Sequence, residues 1–319
     1  METRKIVRSG NTSFILALPI NWIRKNNLES GKLVQVFENE QGDLLISAEK
    51  RKIASKDEIV TIKVDGKDEE TINLDFSIAY IRDASSIIFE GKEIISKTSK
   101  ILENIQFFIG LDVMEQSTRS IVVKNFFSLD KETSPYTLIK KMDIVNRAGF
   151  EQLQIFFNKN FANEDFFELQ KLTEQNRRLF VLVRKSILKL IEYPSLMRNI
   201  QTDYLQVSKD KTFAHILRTI SAALLSLGKT FLFLDRSRSE IKVFKEIFNS
   251  IYSDYQALLN AINNKIYEDI QLFIKRHNTK SKEIEKFSNS LEDPLMIQAV
   301  TSLLQVYSSL KDMAYETLT

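Results

Sequence analysis

The sequence predicts an α+β protein with a β-rich segment at the N-terminus, a small α/β region in the middle and a helical bundle in the C-terminal part. Three observations predict it. Glycine and proline are scarce, Gly 8 and Pro 4 in 319 residues, which limits turns and favours long helices over a many-stranded sandwich. From Pro135 onward apolar residues recur every three or four positions, the period of a helix with one buried face. Over the first fifty residues the apolar runs are instead short and broken by turn residues, as strands require.

Residues 4–48 predict strand, strand, short helix, strand, strand. Ile6 and Val7 lead to a turn at Ser9-Gly10-Asn11-Thr12, and Phe14-Ile15-Leu16-Ala17-Leu18 is an apolar run of strand length. Pro19 ends it and suits the first turn of a helix over 20–26, where a missing N–H is harmless. Trp22 and Ile23 supply that helix's apolar side, and Trp22 is read as a core residue. Ser30-Gly31 turns the chain, 33–37 is a strand, Glu40-Gln41-Gly42-Asp43 a hairpin turn and 44–47 the last strand. A segment this small cannot bury Phe14, Leu16, Leu18, Trp22, Val34, Val36 and Phe37 by itself, and pairing with a second copy would solve that.

The middle region, 53–128, predicts strands at 59–64 and 86–89, helices at 74–82 and 93–108, and a closing pair of strands at 111–116 and 120–125. The charge-rich stretches 49–58 and 65–71 read as linker and loop. In the bundle, 135–319, one stripe runs through Ile241, Phe244, Ile247, Ile251, Tyr255, Leu258, Ile262 and Ile266. Such stripes, with polar breaks expected near 160, 194–209, 236 and 278–292, predict antiparallel helices.

Charge is uneven along the chain. Residues 1–52 hold nine Lys or Arg against six acids, a net +3, which leaves the other 267 residues with 36 of each sign. Within 1–27 five bases face one acid, so an anionic partner is expected there. Cys 0 excludes disulfides, thiolate nucleophiles and cysteine-held metal, and only His215 and His277 remain as imidazoles. No apolar run approaches the roughly 20 residues that cross a bilayer, and no signal-peptide pattern opens the chain. A cytoplasmic protein without membrane insertion is therefore expected.

The stretch RKIVRSGNTSFILALPINWIRKNNLESGKLVQVFENEQGDLLISA, residues 4–48, resembles the AbrB/SpoVT swapped-hairpin DNA-binding domain. The resemblance rests on a basic first strand, a glycine-containing loop, the apolar strand ending at Leu18-Pro19, the helix carrying Arg24-Lys25 and the turn from Leu28 to Lys32. It implies that residues 1–50 form an obligate homodimer whose interlaced hairpins close a β-barrel and grip DNA. The residues themselves agree. Arg4, Lys5, Arg8, Arg24 and Lys25, doubled by a two-fold axis, would offer phosphate contacts with steep salt dependence. Asn11, Thr12 and Ser13 add short hydrogen-bonding groups at the loop. Singly, each cation is as well read as part of a solvated face.

The remainder resembles archaeal proteins in which an AbrB-type domain precedes a PhoU-like helical domain, a family named for regulation of phosphate uptake. The stretch Phe108-Ile109-Gly110-Leu111-Asp112-Val113-Met114-Glu115-Gln116-Ser117, followed by Ile121 to Asn125, carries that likeness. PhoU-like domains hold metals on Glu-x-x-x-Asp pairs one helical turn apart. Here residues 173–180 offer Glu174 but Asn176, Arg177 and Arg178, and 213–219 contain no carboxylate, so no metal or other cofactor is expected. Glu164, Asp165 and Glu168 suit a helix N-terminus. His215, beside its helix's apolar stripe, is read as a satisfied, partly buried histidine. Arg177, Arg178, Arg184, Lys185 and Lys189 are read first as a solvated helix face, the alternative being a surface for an anion or a protein partner.

No phosphate-cradling glycine loop, nucleophile elbow or His-Glu-x-x-His helix occurs, so no catalytic residue is assigned and an enzyme is not expected. The sequence thus predicts a DNA-binding transcriptional regulator of phosphate uptake or related metabolism, with a protein partner or small anion at the bundle. The alternative is a phosphate-transport signalling adaptor that docks proteins through the bundle and uses the N-terminal segment to dimerise.

Overall fold

A computed structural model describes residues 3–10, 13–38, 44–48, 58–159, 163–235 and 239–318. The chain separates into two compact units, Met1–Lys56 and Asp57–Thr319. The middle region and the bundle fall within the second.

In the first unit β1 (Ile6–Ser9) pairs antiparallel with β2 (Ser13–Leu16). Helix α1 (Ile20–Lys25) follows, and β3 (Gln35–Glu38) pairs antiparallel with β4 (Leu44–Ser47). Gly10 and Gly31 adopt φ of +73° and +87°, which a side chain would disfavour, so glycine is what lets the chain turn at both places. The five predicted elements are all present. They form two separate two-stranded sheets, and no closed barrel is found among the described residues of one chain. Two hairpins have too few strands to close upon themselves.

The second unit opens with a four-stranded sheet. β5 (Ile59–Lys63) is followed by α2 (Glu69–Ile81), β6 (Ser86–Glu90), α3 (Ile94–Phe107), β7 (Leu111–Gln116) and β8 (Ser120–Asn125), and the strand order is β5-β6-β8-β7. β5 and β6 are parallel because α2 carries the chain back between them; β6–β8 and β7–β8 are antiparallel. Ile62, Ile87, Phe89, Ile121 and Val123 are buried, while their strand neighbours Thr61, Ile88 and Val122 are not. Phe76 of α2 meets Phe89 and Phe108 edge-on in this core. Helix α2 starts five residues before the predicted 74. Asp68 accepts a hydrogen bond from the Thr71 N–H, so a stretch expected as loop through 71 ends in an N-cap.

The bundle comprises α4 (Pro135–Asn158), α5 (Asn163–Glu192), the short α6 (Ser195–Ile200), α7 (Tyr204–Phe231), α8 (Glu240–Asn263), α9 (Tyr267–Asn289) and α10 (Pro294–Leu318). Helices α4, α5 and α7 pack together, and α10 lies against α7, α8 and α9. The break expected at 278–292 is confined to its last residues: α9 runs to Asn289, with His277 and Ile284 buried. Instead the chain turns at Asn264-Lys265, where Lys265 has φ +56°, and the long stripe loses Ile266 to that turn. The break at 194–209 likewise holds α6 and the first turns of α7.

Helix α4 begins with Pro135 behind Ser134, whose hydroxyl accepts from the Thr137 N–H. Ser134→Ala is expected to lower stability by about 1 kcal/mol, seen as an earlier denaturant midpoint at unchanged slope.

Candidate nucleic-acid interface and the polar nodes of the bundle

Among the described residues of the basic hairpin unit most large apolar side chains are exposed. Residues opposite one another in an antiparallel ladder share a face, so Ile6, Arg8, Phe14 and Leu16 lie on one side of β1–β2, and Val7, Ser9, Ser13 and Ile15 on the other. Both sides therefore carry apolar groups, and both are open to solvent in the single chain. Phe14 is 64% exposed and Leu33 92%, with Ile6, Val7, Ile15, Leu16, Ile20, Val36 and Leu44 also exposed. Trp22 and Ile23 are half-buried rather than fully buried, and α1 has no buried residue. Burying a large aliphatic or aromatic side chain is worth about 1.5–3 kcal/mol, so a folded unit that leaves so many uncovered calls for a partner surface.

The expected DNA contacts are distributed over this unit as follows. Arg4, Lys5 and Arg8 are exposed along and just before β1. Arg24 and Lys25 are exposed in the last turn of α1, where they also complement the helix dipole. Asn11 and Thr12 lie outside the described residues. Ser13 directs its hydroxyl proton to the Ser9 carbonyl across the turn, which leaves its lone pairs outward and removes it as a donor to phosphate.

Within the bundle the two segments compared with metal-binding positions do meet, and they meet through amides. Asn176 on α5 is fully buried and donates from Nδ2 to Asn146 Oδ1 at 3.0 Å; Asn146 on α4 donates to the Leu217 carbonyl of α7 at 2.9 Å. Neutral amides bridge the three helices here, with Asn176 Oδ1 left without a hydrogen-bond partner. Among the described residues no group of three or more His, Asp or Glu is placed to hold a metal ion. Of the acidic cluster, Asp165 is buried and bound by Gln152 and Lys159 from the end of α4, and Glu168 pairs with Lys171. Asp165 thus ties the start of α5 to the end of α4, whereas the Glu168–Lys171 pair lies within α5.

The five cations from Arg177 to Lys189 on α5 divide in a way that helical periodicity could not reveal. Arg178 donates to the Phe107 carbonyl at 2.9 Å, and Arg177 lies over the Phe107 ring at 4.9 Å. Lys185 is wholly buried, with Nζ 3.1 Å from Asp83 and 4.0 Å from the Tyr80 ring centre, and Lys189 reaches the other oxygen of Asp83 at 2.5 Å. Arg178, Lys185 and Lys189 therefore hold the sheet layer onto the bundle, contrary to a solvated face, while Arg177 stays exposed and pairs with Glu174. Only Arg184 remains exposed without an ion pair among the described residues. The signal missed in the sequence was Asp83, a lone acid at a helix end whose partners lie a hundred residues away.

His215 is exposed, not partly buried as expected, and rests edge-on against Phe180 at 4.8 Å. Desolvation where the ring meets its neighbours, then the nearby Arg184, Arg218 and Lys211, hold its pKa below the ordinary histidine value. His277 is the buried one: it is stacked on Tyr307 and bonded to that residue's carbonyl at 2.9 Å.

Fold and site together define a two-unit α+β protein, with a basic hairpin unit of uncovered apolar faces and a sheet-capped helical bundle. No family model, curated protein or solved structure matches this chain. Among the described residues no helix is long and apolar enough to cross a membrane.

Proposed function

We propose that the chain is a cytoplasmic transcriptional regulator that binds DNA as a homodimer through its first fifty residues. The observation that carries this reading is the combination in one small unit of exposed Arg4, Lys5, Arg8, Arg24 and Lys25 with apolar groups uncovered on both faces of the β1–β2 hairpin. A second copy interlaced with the first would cover the apolar faces and complete the barrel that one chain leaves open. It would also double the cations on offer to a polyanion. The likeness of residues 4–48 to AbrB/SpoVT domains supports the same arrangement. The likeness of the remainder to PhoU-like domains supports phosphate uptake or related metabolism as the process regulated.

The test is a gel shift on genomic fragments at two salt concentrations, with sedimentation of the same samples. The wild type is expected to run as a dimer and to form a complex that weakens steeply with salt. Arg4→Ala/Arg8→Ala/Arg24→Ala should remain dimeric and lose the complex. A monomeric wild type, or a triple variant that binds as the wild type does, would refute the reading.

A second reading is favoured by an acid-free surface on α5 and α7: a signalling adaptor of phosphate transport that docks proteins through its bundle and uses the hairpin unit only to dimerise. It predicts no DNA complex from either protein in that experiment.

A further inference from the structure

The outward sides of α5 and α7 carry cations and almost no acid. From Gln175 to Ile191 α5 has no Asp or Glu, from Lys211 to Leu234 the chain has none, and α10, which packs on α7, has none before Asp312. Glu174, at the edge of this region, is engaged by Arg177 at 3.7 Å. Asp210 is buried, and desolvation raises its pKa to about 6. Arg184, Lys211 and Arg218 are exposed and form no ion pair among the described residues. Arg218 lies over Phe180 at 4.9 Å and His215 meets the edge of the same ring; Arg184 stands one turn further along α5 and Lys211 one turn before His215 on α7, and all three charges act on His215.

This ridge continues into an apolar groove. Thr173 stands one turn from Arg177, and Ala222 one turn from Arg218; with Leu225, Ser226, Leu295 and Gln298 they line a groove of about 420 Å³ between α5, α7 and α10. Lys229, Thr230 and Phe233, the last 71% exposed, complete its lining. At the opposite end of the ridge Leu188 and Ile191 are exposed on α5. From Thr173 to Arg184 is roughly 16 Å at 1.5 Å per residue, the length of three helical turns. A nucleic-acid backbone would use polar donors along its whole track, whereas here cations alternate with Val181, Ala222 and Leu225 and end in an apolar trough. An amphipathic helix has the matching pattern, apolar residues along one stripe and charge beside it.

We propose that this face of α5 and α7 docks an amphipathic helix of an acidic partner protein, with the helix's apolar residues in the groove and its carboxylates on Arg184, Lys211 and Arg218. The inference deepens the partner-binding role of the bundle and is independent of DNA binding by the hairpin unit.

The full-length protein would be titrated into a fluorescein-labelled 18-residue peptide with leucines spaced at i, i+3, i+4 and i+7 and glutamates at most other positions, followed by anisotropy. A scrambled peptide of the same composition is expected to bind at least tenfold more weakly. Arg184→Glu/Arg218→Glu should weaken the parent peptide at least tenfold, and so should Arg184→Glu/Lys211→Glu, which leaves the Phe180 stack intact. Ala222→Glu, in the groove wall, should weaken it as well. The two histidines separate the site from the rest by NMR: the ring signals of His215 should move on binding and those of His277 should not. Equal binding of the scrambled peptide would reduce the ridge to unspecific attraction and overturn the proposal. So would an unchanged affinity in both charge-reversal variants, the absence of binding, or loss of a 20-base-pair DNA complex in those variants. Arg4→Ala/Arg8→Ala/Arg24→Ala should bind the peptide as the wild type does, so failure of the DNA reading leaves this result standing.

Discussion

Asp83→Asn is expected to destabilise the protein by about 3–5 kcal/mol, because it strands a lysine inside the fold. Asp83 follows α2 with φ +62°, a conformation that asparagine tolerates as well as aspartate does, so the substitution removes charge without adding backbone strain. Its carboxylate takes Lys185 at 3.1 Å, Lys189 at 2.5 Å and the Asn125 amide at 3.0 Å. Lys189 retains access to solvent, but Lys185 has none, and its surroundings are the Tyr80 and Phe127 rings. Desolvation already pulls the Lys185 pKa down to about 8, with Asp83 acting in the opposite sense. Without that carboxylate the ammonium must lose its proton or draw in water. Lys185→Met should be neutral or stabilising, since an apolar side chain of similar length suits the two rings and Asp83 keeps Lys189. The double variant should then show most of the Asp83→Asn loss cancelled, a coupling that urea denaturation of the four proteins would measure. An Asp83→Asn protein within 1 kcal/mol of wild type would mean that the layers are held by packing alone.

That node also marks the limit of what local sequence conveys. Short apolar runs between turn residues located β1 to β8 to within a residue or two, because strand signals are local and Gly10, Gly31 and Pro19 punctuate them. The bundle's stripes were equally plain. Helix ends were less so: α2 begins at a cap formed by Asp68, and α9 continues through polar residues on its outer side that resemble a loop in composition. Pairings across distance left no trace. Nothing in Asn146 or Asn176 announces a buried amide bridge, and Lys185 and Arg184 are neighbours in the chain with opposite fates, one sealed against Tyr80 and the other exposed. The N-terminal cations were legible as a cluster because they are close in sequence. The ridge of α5 and α7 was only half legible, since Lys211, His215 and Arg218 join Arg184 through antiparallel packing.

Asp210 makes a prediction of opposite sign, that removing a charge strengthens the fold above about pH 6. The residue is 4% exposed on α7, and its carboxylate accepts one hydrogen bond, from Gln206 Nε2 at 2.8 Å. Desolvation raises its pKa from 3.8 to about 6, with Gln206 opposing. A carboxyl whose folded pKa is raised holds its proton in the native state while the unfolded chain has lost it. Stability from this group is therefore greatest below about pH 4, falls as pH rises through 6, and is then lower by about 3 kcal/mol at 1.36 kcal/mol per unit. Asp65, Asp68, Glu93 and Asp130, whose hydrogen bonds lower their pKa values, act in the opposite direction and only as pH falls below the ordinary carboxylate range. His215 and His277, both lowered chiefly by desolvation, favour the native state as pH rises toward 6.5. The difference between wild type and Asp210→Asn cancels those shared contributions. That difference should grow in the variant's favour between pH 4.5 and 7, by about 2–3 kcal/mol, while the amide oxygen keeps the Gln206 bond. Urea midpoints of both proteins at the two pH values measure it, and a difference that stays flat would show that the native carboxylate is hydrated and that α7 opens around it.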